Sequence, residues 1–97
     1  MDNELEFIYI GWCNSGTSDK VWTAFKAGGA YYAGWGARGK AIRFKQHSGQ
    51  WELKQVMYKK QEKYKEVDEF MLFSIIPGFK EQVASKLTFD ILTNKVM

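Results

Sequence analysis

The sequence predicts an α+β domain: a twisted antiparallel sheet of four to five strands, one helix packed across it, and an additional C-terminal helix. Three observations carry this. Residues 40–46 alternate cleanly, with Ile42 and Phe44 facing in and Ala41, Arg43 and Lys45 facing out, the period of a half-buried strand. Ala27, Gly28 and Gly29 separate two aromatic runs with the chemistry of a tight hairpin. Beyond His47 the apolar spacing lengthens to that of a helix, through Leu53, Val56, Met57, Lys60 and Tyr64.

Taken in order, residues 4–13 (ELEFIYIGWC) form a first strand, with Phe7, Tyr9 and Gly11 on one face and Ile8, Ile10 and Trp12 on the other. Bulky residues on both faces imply that both are at least partly covered. Residues 14–18 (NSGTS) are a turn, and 20–26 (KVWTAFK) a second strand. The third strand runs through Tyr31–Tyr32 to Trp35, the fourth spans 40–46, and the four make a meander. Ser48 is the expected N-cap of a helix over 50–65, whose Lys54, Lys59, Lys63 and Lys65 face water. The apolar run 70–76 (FMLFSII) is short for an independent helix and reads as a fifth strand, ended by Pro77–Gly78. A second helix over 79–94 carries Phe79, Val83, Leu87 and Ile91 on one stripe. Without linker or repeat, residues 1–97 are one domain, with 77–97 as a C-terminal helical extension.

The chemistry gathers in residues 28–40 (GGAYYAGWGARGK). Tyr31, Ala33 and Trp35 share one strand face; on the other, Gly34 and Gly36 follow Tyr32 and leave it nearly bare, open to close approach by a backbone or a ligand. The turn that follows sets Arg38 and Lys40 beside Trp35. Aromatic faces next to cations suit an anionic or π-faced partner. The same residues also read as a plain hairpin with core aromatics and solvated cations, and composition favours that reading. Charge supports the sharper one: the formal net charge is +3, but residues 19–65 hold eleven Lys/Arg against three acids, while both flanks are acidic.

Other chemistries find little material. Cys13 is the single cysteine, so no intramolecular disulfide forms and a reducing, cytoplasmic setting is expected. His47 is the single histidine, with no second His or Cys beside it for a structural zinc site. The acidic start MDNELEF is not a signal peptide, and no apolar run reaches membrane-spanning length. With no acid–base pair, triad or phosphate loop, neither an enzyme nor a cofactor is expected.

The ordered combination of Ser18–Asp19–Lys20–Val21–Trp22, a hairpin, Tyr31–Tyr32, Trp35–Gly36–x–x–Gly39 and Lys59–Lys60–x–x–x–Tyr64 resembles the WGR domain. That family is known from DNA-dependent poly(ADP-ribose) polymerases and from bacterial proteins. The resemblance spans residues 4–76, which implies a WGR-like core over 1–76, and departs at one point: the motif arginine position holds Ala37, and Arg38 is displaced by one. It implies a sheet with a helix across it and a DNA-directed surface on which Trp35 takes the motif tryptophan's place; the arginine's role does not carry over.

Two functions follow as expectations. One is a non-catalytic nucleic-acid-binding module, DNA ahead of RNA, with Tyr31 and Trp35 as aromatic contacts and Arg38, Lys40, Arg43 and Lys45 on phosphates. The other is a small adaptor or inhibitor that docks on a protein through the same hairpin or through the C-terminal helix, which also offers a route to self-association.

Overall fold

The computed structural model describes residues 5–96, with side chains described through residue 87; Glu4 and the acidic start before it lie outside this description, as does the side chain of Ile91. The elements are β1 (Leu5–Ser15), β2 (Ser18–Ala27), β3 (Ala30–Ala37), β4 (Arg43–His47), α1 (Gln50–Lys60), β5 (Lys65–Glu66), α2 (Glu69–Ile75) and α3 (Phe79–Val96). The sheet is antiparallel throughout, in the order β4-β3-β2-β1-β5, so the expected meander of four strands forms. Gly28 and Gly29 both take positive φ (58° and 82°), which is what a two-residue loop closing Ala27 onto Ala30 requires. That loop sets the β2–β3 register and brings Trp22 opposite Trp35.

The sheet is covered on both sides. On one face α1 lays Leu53 and Met57 against Tyr9, Cys13, Trp22, Ala24 and Ala33, with Tyr64 closing the cluster. On the other, Leu72, Ile75, Ile76, Phe79 and Val83 from α2, α3 and their junction bury against Ile10, Val21, Phe25, Tyr32 and Ile42. The C-terminal helix is thus part of the core: Phe79 is fully buried, with its ring 5.8 Å from Phe7 and 6.2 Å from Phe25. Of its stripe, Leu87 packs at the margin.

Four expectations are corrected. Residues 70–76 are helical, and the fifth strand is instead Lys65–Glu66, which pairs with Trp12 and Gly11. The Asp68 carboxylate caps α2 by accepting from the Met71 amide at 3.0 Å. Leu72, Ile75 and Ile76 then stand at helical spacing on the buried side, while Phe70 and Ser74 stay in water. The first helix ends at Lys60, and Tyr64 reaches the core from the turns beyond it. Its N-cap is Gly49 in extended backbone; Ser48 contributes only its amide, which donates to the N3 residue Glu52 at 2.8 Å. Finally, a bulge at Ile8 shifts the β1–β2 register between Phe7 and Tyr9. Phe7 therefore packs beneath α3 and Tyr9 beneath α1, on opposite faces.

Candidate functional site

The bare face of β3 is filled by the chain itself. A side chain at Gly34 would stand 3.1 Å from the Phe25 ring, and one at Gly36 would stand 3.2 Å from both the Ala41 carbonyl and the Ile42 Cα. Those glycines admit the domain's own core and the returning strand, not a ligand.

The opposite face of β3 is where a cleft opens. Tyr31, Ala33 and Trp35 lie under the edge of α1, and the β3–β4 register adds His47 opposite Tyr31, Lys45 opposite Ala33 and Arg43 opposite Trp35. Between sheet and helix is a cavity of about 190 Å³. Its buried floor is Trp22, Ala33, His47 and Tyr64; its accessible rim is Trp35, Lys45, Val56 and Lys60. The Lys60 ammonium sits 5.8 Å from the centre of the Tyr64 ring.

The floor is held by hydrogen bonds. His47, 5% exposed, has Nδ1 2.9 Å from Glu52 Oε1. Glu52 is held below the ordinary glutamate range first by the Ser48 amide, then by the hydrogen bond with His47, with Lys45 a smaller influence. It remains an anion that fixes the imidazole by one nitrogen. Tyr9 donates its hydroxyl to the Tyr64 carbonyl beneath the cleft. Burial, with a smaller contribution from Cys13, raises the Tyr64 phenol above its usual value, so that it stays neutral at physiological pH.

The six residues singled out in the sequence do not form one patch. Trp35 and Lys45 line the cleft, and Arg43 stands beside Trp35 on the exposed edge strand. Tyr31 lies on the same face, half-buried, with the Lys26 ammonium 5.6 Å from its ring centre. Arg38 is committed elsewhere: its Nε donates to Asp19 Oδ2 and its guanidinium lies 6.0 Å from the centre of the Trp12 ring. Asp19 also accepts from Trp12 Nε1 at 2.8 Å, and these two hydrogen bonds, Arg38's first, draw its carboxyl below the usual range. Lys40 is exposed beyond a turn that backbone bonds tie to β2 and to the end of α2. Sequence reasoning did not assign Trp22, His47, Val56, Lys60 and Tyr64 to the site. Trp22 was within reach, because a two-residue loop at Gly28–Gly29 already places it across from Trp35.

Among the described residues no cluster of three or more His, Cys, Asp or Glu side chains offers a metal site, and no helix is long and apolar enough to cross a membrane. The protein is defined at the level of class: an α+β domain with one open antiparallel sheet and a small aromatic cleft under its first helix. No protein-family model matches the chain, and no match was found among curated proteins or solved structures.

Proposed function

We propose that this protein is a non-catalytic nucleic-acid-binding module of the reducing cytoplasm, and that its contact surface is the α1-side face of β3 and β4. The observation that carries the reading is the cleft itself: a partly exposed Trp35 that shares its lining with Lys45 and Lys60, with Arg43 opposite it on the open edge. An aromatic surface flanked by cations stacks a base while neutralising phosphates on either side. The likeness of Trp35–Gly36–x–x–Gly39 to the WGR motif favours DNA over RNA, although Arg38, bound to Asp19, is placed to brace the turn rather than to reach a phosphate. Lys45→Gln is expected to weaken binding and reduce the dependence of log affinity on log salt by about 0.7–0.9. Trp35→Ala is expected to cost about 1–3 kcal/mol of binding. Both are read by fluorescence anisotropy on a labelled oligonucleotide across a salt series, with melts to confirm folding. Affinity that ignores salt refutes the reading.

One observation favours a protein partner instead. Trp51 and Tyr58, 75% and 55% exposed, stand seven residues apart and so share the outer side of α1. Exposed aromatics of this kind anchor interfaces. On that reading Trp51→Ala abolishes binding and Lys45→Gln leaves it unchanged.

A further inference from the structure

We infer that the cleft under α1 takes up one unstacked nucleobase, which makes the module selective for unpaired strands over continuous duplex. The inference rests on the nucleic-acid reading above and adds to it a ligand conformation. Size is the first support: about 190 Å³ is well below the roughly 300–1,000 Å³ of clefts for drug-sized molecules, so the space suits a single ring system. Wall chemistry is the second. Trp22, Trp35 and Tyr64 present aromatic surface, and Val56 closes the helix side.

Orientation of polar groups is the third. Glu52 engages His47 through Nδ1, which leaves Nε2 as the ring nitrogen able to meet the edge of a ligand in the cavity that His47 lines. Lys45 and Lys60 lie on the accessible rim and not on the floor, where the phosphates flanking an inserted base would pass. A base stacked and paired within a duplex presents only its edge to a protein and reaches such a floor only by leaving the stack. Unpaired strands bear a smaller cost for that step, and the preference follows from it.

The test uses wild-type protein with a free nucleoside monophosphate and three labelled probes of about 12 nucleotides: a single strand, its blunt duplex, and a strand of the same length lacking every base. The single strand is expected to bind at least about tenfold more tightly than either of the others at moderate salt. In a parallel arm, Val56→Trp fills the cleft without changing charge; it is expected to remove the single-strand preference. If the base-free strand or the duplex binds as tightly as the single strand, base uptake is overturned and the basic surface reading stands. If Val56→Trp folds and keeps the preference, base uptake is likewise overturned. A free nucleoside monophosphate that binds as tightly as the strand makes the cleft a small-molecule site and overturns the strand preference. If no probe binds, the nucleic-acid reading fails and base uptake fails with it. Should Val56→Trp not fold, the base-free strand decides with the native chain alone.

Discussion

Phe79 offers the sharpest test of how this domain is held together, because it opens the C-terminal helical extension and yet sits at the centre of one core cluster. Its ring is fully buried and stands against Phe7 and Phe25 at centroid separations of 5.8 and 6.2 Å. Phe79→Ala removes that ring from between three elements that cannot all close on the gap. Such truncations cost about 3–5 kcal/mol, the sum of lost transfer energy and residual cavity. A domain of this length holds about 5–15 kcal/mol in total, so the loss is a large part of its stability. With a urea slope of about 1.5 kcal/mol/M, the unfolding midpoint falls by roughly 2–3 M. Tryptophan fluorescence follows the transition, since Trp22 is buried in the opposite cluster and reports on the whole fold. Ser85→Ala, at an exposed position of the same helix, is the control and stays within about 0.5 kcal/mol. A Phe79→Ala midpoint close to that of Ser85→Ala would mean that α3 is not seated on the sheet.

Two further outcomes follow from the α1 side. Gly11→Ala places a methyl 2.6 Å from Tyr64 Cβ and 2.8 Å from the Tyr9 ring, an overlap that costs about 1–3 kcal/mol and lowers the melting temperature by at least about 5 °C. Gln55→Ala, at an exposed position of α1, is the control and stays within about 0.5 kcal/mol; equal effects would refute the Tyr9–Tyr64 packing. For Glu52 the sign is set by its lowered folded-state pKa: the unfolded chain takes up the proton first as pH falls. Its contribution is therefore complete at neutral pH and is lost as pH drops through the folded value, below the ordinary range of about 4.3. The stability gap between wild type and Glu52→Gln is expected to be full at neutral pH and to close as the solution is acidified below the ordinary glutamate range, read in urea titrations. A gap that widens with acid would refute the assignment.

Local chemistry was legible in the sequence wherever a few neighbouring residues settle the outcome. The Gly28–Gly29 pair specified a two-residue hairpin, the alternation through Ile42 and Phe44 placed both on the inner face, and Leu53 with Met57 marked the buried side of α1. Each depends only on backbone sterics or on the period of one element. Which face a residue ends on, and whom it meets, depends on distant parts of the chain. The bulge at Ile8 reverses Phe7 relative to Tyr9 and follows from packing two faces at once. The run 70–76 is apolar at nearly every position, so it carries no period of its own; the Asp68 cap and the seat beside Phe25 made it a helix. Arg38 and Asp19 are nineteen positions apart, and only the sheet joins them, which takes the arginine out of the basic surface. His47 lies just past the strand expected over 40–46, and only β4 carries it under α1 to Glu52. Strand alternation and turn chemistry were written in neighbouring residues; the cleft was assembled from four separate segments, and only the tertiary structure brings Trp22, Trp35, His47 and Tyr64 to one place.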